Sequence, residues 1–79
     1  MLNEIEKMEI IRSMKMTEHD VMKHMKDGVS VYPVNDEGKS FFIEEQKSAL
    51  FDDEDIERNW DNMDEVTYKG TRYKIDFVL

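Results

Sequence analysis

The stretch EVTYKGTRYKIDFVL, residues 65–79, carries the clearest fold signal in the chain. Apolar and polar residues alternate on both sides of Lys69 and Gly70, which predicts two β-strands joined by a tight two-residue turn. In this arrangement Glu65 lies opposite Lys74, so that unlike charges meet across the strands. The end of the chain is therefore predicted to be an antiparallel hairpin.

The stretch just before the hairpin, FDDEDIERNWDNMDE at residues 51–65, is rich in carboxylates. Its apolar residues Ile56, Trp60 and Met63 recur at i, i+4 and i+7, which is the spacing of one face of a helix. Acidic residues crowd the expected start of this helix, where the helix dipole favours negative charge. We predict an acidic helix over residues 52–64.

Two further helices are predicted over residues 1–28. Asn3 and Glu6 have the spacing of a capping box at the start of the first helix, which is predicted to run from residue 4 to 15. Thr17 is the predicted N-cap of the second helix, and Gly28 ends it by taking a positive φ. The short connection between the two predicts an antiparallel helical pair. The apolar residues expected on their inner faces are Ile5, Met8, Ile11 and Met14 in the first helix, and Val21, Met22 and Met25 in the second.

Residues 29–45 are interpreted as a first hairpin. The sequence VSVYPV is rich in β-branched residues, and the NDEG that follows suits a type I turn with a bulge because its glycine takes a positive φ easily. The sequence KSFFIEE then supplies the return strand. Pro33 has no N–H to donate, so the first strand of this hairpin is expected at a sheet edge.

Together these elements predict one small α+β domain over residues 1–79, with the order α-α-β-β-α-β-β. An antiparallel sheet of about four strands would have helices packed on one face. Because the 79-residue chain has no cysteine, a compact core rather than disulfide bonds must stabilise it.

The negative charge is concentrated in one segment. Residues 44–65 contain ten acidic and two basic residues, so this segment alone carries −8, which equals the net charge of the whole chain. Four acidic residues of the predicted helix, at i, i+4, i+8 and i+11, form what we call the acidic ridge. The residues of the acidic ridge are Asp53, Glu57, Asp61 and Asp64.

Successive carboxylates of the acidic ridge are about 6 Å apart along the helix axis. Like charges at this spacing cost about a few tenths of a kcal/mol per pair, and the sequence shows no lysine on this helix to offset that cost. The acidic ridge is therefore predicted to bind a basic partner protein, with Trp60 at the centre of the contact because tryptophan is common in binding hot spots.

Metal and catalytic sites are not predicted. When an EF-hand loop is started at Asp53, its sixth position is Arg58, where glycine is required. His19 and His24 are five residues apart and do not share a helical face, unlike the i, i+4 pair of a zinc site. The chain has no cysteine, glycine-rich phosphate loop or nucleophile elbow, so we predict neither an enzyme nor a cofactor.

Direct nucleic-acid binding and membrane insertion are not predicted either. Residues 1–28 contain six acidic and five basic residues, whereas phosphate binding needs clustered lysine and arginine. The apolar runs are far shorter than the ~20 residues that span a bilayer, and the start of the chain lacks a secretory signal. A cytoplasmic location is expected.

The leading functional hypothesis is a small non-catalytic interaction domain that occludes a basic or nucleic-acid-binding surface of a partner, with its carboxylates standing where phosphates would. An alternative is a structural or homodimeric accessory protein that uses the methionine-rich helices, with Ile10, Met14 and Met16 at the interface. A third hypothesis is a low-affinity metal-binding domain.

Overall fold

The computed structural model describes residues 2–77 of the chain. These residues form an α+β fold, as predicted, but with four helices and three strands. The elements in chain order are α1 (Glu4–Arg12), α2 (Glu18–Asp27), β1 (Val29–Pro33), α3 (Asp36–Ser48), α4 (Asp53–Asn62), β2 (Asp64–Tyr68) and β3 (Thr71–Phe77).

The strands form one antiparallel sheet in the order β1-β3-β2. Strands β2 and β3 are the predicted C-terminal hairpin, with Glu65 opposite Lys74 and the turn at Lys69 and Gly70. The part of this prediction that covers residues 78 and 79 lies outside the described residues. Strand β1 is at an edge of the sheet, as Pro33 predicted.

The predicted hairpin over residues 29–45 is wrong in its second half, because residues 36–48 form helix α3 instead of a return strand. Asn35 is the N-cap of this helix, and its Oδ1 accepts a hydrogen bond from the backbone N–H of Gly38 at 2.8 Å. An asparagine followed three residues later by a glycine is thus compatible with the start of a helix as well as with a β-turn. The glutamates, lysines and glutamine that follow are good helix formers, so local preference supports the helix.

Helices α3 and α4 cover one face of the sheet. The ring of Tyr32 on β1 lies 5.2 Å from that of Phe42 on α3 and 6.4 Å from that of Trp60 on α4, measured between centroids. These three residues and Ile56 form a buried cluster. Aromatic side chains therefore join the sheet to both helices of this layer.

Helices α1 and α2 cover the other face, so the prediction of helices on a single face is wrong. Lys74 is the cross-strand partner of Tyr32, so the two side chains lie on the same face of the sheet. Phe77 is three residues further along β3 and therefore points to the opposite face, because side chains alternate along a strand. Its ring stacks on that of His24 in α2, with centroids 4.3 Å apart. On the same face the hydroxyl of Tyr68 donates a hydrogen bond to the carboxylate of Glu9 in α1 at 2.6 Å.

The two N-terminal helices begin where the caps predicted, and their buried faces agree with the expected ones in part. Both bonds of the capping box between Asn3 and Glu6 are present, and Gly28 ends α2 with a φ of 111°. Helix α1 is shorter than predicted and ends at Arg12. Ile11 and Val21 are buried as expected and Ile10 is buried as well, whereas Ile5 is 65% exposed and Met22 is also exposed.

No helix within residues 2–77 is long and apolar enough to cross a lipid bilayer.

Candidate partner-binding surface

Helix α4 exposes its carboxylates to solvent, as predicted. The helix begins after Asp52, whose side chain accepts a hydrogen bond from the backbone N–H of Asp55 at 2.8 Å. Its apolar side is anchored in the core by Ile56 and Trp60, which are buried. The stretch is therefore an amphipathic helix with one side held in the core and an acidic side in water. The residues of the acidic ridge are all exposed.

Trp60 does not take part in this surface. Its side chain is only 6% exposed, its ring lies 5.3 Å from that of Phe42, and the ammonium of Lys74 is 5.9 Å from the ring centroid. The prediction that Trp60 lies at the centre of a contact is wrong, because a partner cannot reach an indole enclosed in the core.

Asp64 belongs to a strand rather than to the helix. Helix α4 ends at Asn62, and Asp64 begins β2, opposite Ile75 of β3. The acidic ridge therefore consists of three helical residues and one residue at the edge of the sheet. The side chain of Asp64 points to the face of the sheet that α1 and α2 cover, because its cross-strand partner Ile75 does.

Ion pairs neutralise part of the acidic ridge. The carboxylate of Glu57 lies 3.3 Å from the ammonium of Lys39 in α3, so the ridge does have a lysine partner, supplied by a different helix. Sequence reasoning missed this pair because the segment that contains Lys39 was interpreted as a strand. Among the described residues, the ridge carboxylates that make no ion pair are those of Asp53, Asp61 and Asp64.

An open groove of about 480 Å³ lies where β2 leaves the sheet and joins α4. Strand β2 pairs with β3 only as far as Ile75, whereas β1 pairs with β3 as far as Phe77. The end of β3 therefore lacks a strand on its β2 side, and the groove lies beside it. We call it the acidic groove. Its apolar lining includes Phe51 and Met63, and its carboxylates are Asp64 and Asp76.

Asp76 is an acidic residue that the protein itself does not neutralise. The pKa of its carboxyl is raised above the usual value, first because the group is partly buried and second because of the nearby charge of Glu45. Within residues 2–77 no ion pair or side-chain hydrogen bond reaches Asp76. Glu45 itself accepts a hydrogen bond at 3.0 Å from the hydroxyl of Tyr32, whose pKa burial raises to about 12.

Side-chain amides also line the acidic groove. The Nδ2 of Asn59 donates a hydrogen bond to the Oε1 of Gln46 at 2.8 Å, which joins α4 to α3. The Oδ1 of Asn59 receives no hydrogen bond from the described residues and is available as an acceptor. Asn62 adds a second, exposed amide.

An exposed apolar pair lies at the end of α3, beside the acidic groove. Leu50 is 93% exposed and Phe51 is 43% exposed. The sequence indicated no element for residues 46–51, between the predicted hairpin and the acidic helix, and did not predict this pair. The available signal was an alanine-leucine-phenylalanine run immediately before a row of acids, where a solvated loop would normally be polar.

The predicted methionine interface is only partly accessible. Ile10 is 1% exposed, so a dimer partner cannot reach its side chain and its predicted role does not hold. Met14 and Met16 are half-buried and line a second open groove of about 520 Å³ together with Val66. Asp64 lines this groove as well, so the two predicted surfaces meet at one residue.

Within the part of the chain that the structure describes, no group of three or more His, Cys, Asp or Glu residues is arranged to hold a metal ion. Comparisons of the chain with protein-family models, curated proteins and solved structures found no match. The functional argument therefore rests on the chemistry of the surface itself.

Proposed function

We propose that the chain is a small non-catalytic interaction domain that binds and covers a basic, nucleic-acid-binding surface of a partner protein. The observation that carries this proposal is the set of three exposed carboxylates without an ion pair. They belong to Asp53, Asp61 and Asp64, on or just after a helix whose other side is fixed in the core.

The rigid placement of α4 supports this proposal. Because Ile56 and Trp60 are buried, the helix cannot rotate to hide its acids, and the carboxylates keep a fixed spacing. Asp53 and Asp61 are about 12 Å apart along the axis at ~1.5 Å per residue. A nucleic-acid strand is likewise a regular row of negative charges, so a protein surface that binds such a strand is complementary in charge to this helix.

The exposed apolar pair Leu50 and Phe51, which precedes α4, supplies apolar contacts that the carboxylates cannot make. Exposed charges at an interface raise the association rate and fix orientation, whereas affinity usually depends on a few apolar anchors. Phe51 is exposed next to the acidic groove and takes the anchoring role that was predicted for Trp60. Leu50 extends the apolar contact on its outer side.

Affinity capture from a bacterial lysate tests the proposal, with a ridge variant and a matched control. The ridge variant carries Asp53→Asn, Asp61→Asn and Asp64→Asn. The control carries Asp20→Asn, Asp27→Asn and Glu37→Gln, which are exposed residues without ion pairs among the described residues. Both variants change the net charge from −8 to −5.

We expect the native chain and the control to retain a basic nucleic-acid-binding protein at low salt and to release it at high salt. The ridge variant should retain little of it, and the native chain should compete with nucleic acid for the captured protein. Equal capture by the ridge variant and the control would overturn the proposal.

A homodimeric accessory protein is the second candidate, and the groove lined by Met14 and Met16 favours it. Flexible methionine side chains adapt well to a partner surface. On this hypothesis Met14→Glu together with Met16→Glu abolishes self-association in sedimentation experiments, while the ridge variant still self-associates. A chain that is monomeric at all concentrations would exclude this candidate.

A further inference from the structure

We propose that the acidic groove binds an arginine side chain of the partner protein. This inference rests on the proposed function and adds to it the chemical group that the partner inserts. The groove combines the three features that such a side chain needs, namely apolar walls, a carboxylate without a cation, and a free acceptor oxygen.

The apolar walls suit the stem of an arginine. On the side of α3 and α4, Phe42 is the buried part of the wall, Met63 is half-buried and Phe51 is exposed. An arginine buries its methylene stem against apolar surface, and its planar guanidinium also packs on aromatic faces. A side chain laid along this wall would cover apolar surface that is now in contact with water.

The polar groups of the groove suit the head of an arginine. Asp76 lines the groove on the face of the sheet that α3 and α4 cover, and no described cation forms an ion pair with it. Asp64 lies opposite Ile75, so its side chain points to the other face of the sheet. The raised pKa of Asp76 shows that its negative charge is unfavourable in the free protein, and an incoming cation would relieve this. The guanidinium has five N–H donors in one plane, so it can bind both oxygens of the Asp76 carboxylate and keep further donors for the free Oδ1 of Asn59.

Other occupants fit this chemistry less well. A lysine ammonium is a compact, strongly hydrated charge with three donors, so it gains less from a wide groove with acceptors on several sides. A second copy of this chain would bring a net charge of −8 toward the most acidic part of the surface. An acidic or neutral segment would leave Asp76 without a cation.

Three short peptides test the inference by nuclear magnetic resonance. They share flanking leucine and serine residues and differ at one central residue, which is arginine, lysine or citrulline. Citrulline has nearly the shape of arginine but no charge, so it separates charge from packing. We expect the arginine peptide to shift the side-chain amide signals of Asn59 and Asn62, the lysine peptide to bind more weakly, and the citrulline peptide not to bind.

Variants of the groove provide the second half of the test. Asp76→Asn and Phe51→Ala should each weaken binding of the arginine peptide about tenfold, which corresponds to ~1.4 kcal/mol. Glu37→Gln is the control for charge, because Glu37 is exposed at the start of α3 and does not line the groove. Circular dichroism and thermal unfolding of each variant show whether the fold is kept.

Equal binding of the arginine and citrulline peptides, or unchanged binding by both groove variants, would overturn the inference. These results are separable from the proposed function. If the ridge variant fails to capture the partner but the native chain does not bind the arginine peptide, only the arginine-binding inference is rejected. If the native chain binds the arginine peptide but captures no partner, only the proposed function is rejected.

Discussion

Gly38 shows how closely α3 approaches the sheet. A Cβ atom built on this glycine would lie 2.0 Å from the carbonyl oxygen of Pro33, which is a backbone atom and cannot easily move. The same glycine donates its N–H to the cap residue Asn35. In the sequence Gly38 resembles the last residue of a β-turn, but in the structure a glycine is needed there because α3 packs closely against β1.

Gly38→Ala is expected to destabilise the protein although alanine is the better helix former. The gain in helix propensity is about 1 kcal/mol, whereas forcing an extra carbon against fixed backbone costs about 1–3 kcal/mol or more. Chemical denaturation measures the net loss in the free energy of unfolding. The control is Ser40→Ala on the exposed side of the same helix, which should be slightly stabilising. A Gly38→Ala protein that is more stable than the native one would contradict the close packing of α3 on Pro33.

At the scale of single elements, the end of α3 is closed by a Schellman motif that uses leucine where glycine is usual. The backbone N–H of Phe51 donates to the carbonyl of Gln46, and that of Leu50 donates to the carbonyl of Lys47, at 3.1 and 3.0 Å. Leu50 has a φ of 69°, in the left-handed region that L side chains rarely adopt. Because Leu50 is almost fully exposed, no burial within the domain compensates for this strain.

Leu50→Gly is therefore expected to stabilise the isolated domain. Relief of the left-handed strain, about 1–2 kcal/mol, exceeds the roughly 0.5–1 kcal/mol that glycine costs through the entropy of the unfolded chain. Thermal unfolding should show a higher midpoint. The matched control is Ala49→Gly, since Ala49 has a φ of −90° and glycine there brings the entropic cost without relief. Equal shifts for the two variants would contradict the strain argument.

The strained leucine also connects stability with binding. A costly backbone conformation that holds a large apolar side chain in water is a feature found at functional sites. The more stable Leu50→Gly protein would lose part of the apolar contact that the proposed interface uses. Stability and partner binding at this helix end are therefore expected to change in opposite directions.

At the scale of the whole molecule, the sheet separates two helical layers, and the acidic groove lies at the end of the sheet where β2 meets α4. Asp76 extends into this region from β3, and Glu45 acts on it from α3. Two elements that are distant in the sequence, α3 and β3, therefore create one unfavourable negative site. The free energy that this site costs in the free protein is what a cationic ligand would recover.

Asp76→Asn is expected to raise the free energy of unfolding at neutral pH. The pKa of Asp76 is raised in the folded state, so any stability linked to this group is present below its unfolded pKa and is lost as the pH rises through the folded value. The native chain should therefore be less stable than Asp76→Asn at pH 7, and the difference should shrink as the pH falls through the folded pKa of Asp76. Urea denaturation across this acidic range measures the effect. The control Glu37→Gln should change stability little, and an Asp76→Asn protein less stable than the native one at pH 7 would refute the argument.

The sequence correctly predicted that the carboxylates of α4 are exposed, but it did not predict which side chains contact one another. The sequence placed the carboxylates of α4 in solvent, because their positions follow from the 3.6-residue period and from Ile56 facing the core. It could not reveal that Lys39 reaches Glu57, since that ion pair joins two helices. It placed Trp60 on the apolar stripe, which the burial of Trp60 confirms, but its second prediction for this residue, the centre of a partner contact, is wrong, because an apolar stripe alone does not show how fully a neighbouring layer covers each of its members.

The sequence by itself determined the features that depend on residues a few positions apart. These are the caps at Asn3 and Thr17, the register of the β2-β3 hairpin and the amphipathic character of α4, since their hydrogen bonds and periodicity are local. Only the tertiary structure decided that residues 36–48 are helical, that helices cover both faces of the sheet, and that Asp64 and Asp76 line one groove. The physical reason is that each of these depends on contacts between elements far apart in the chain, such as Gly38 against Pro33, and no short sequence pattern encodes such a contact.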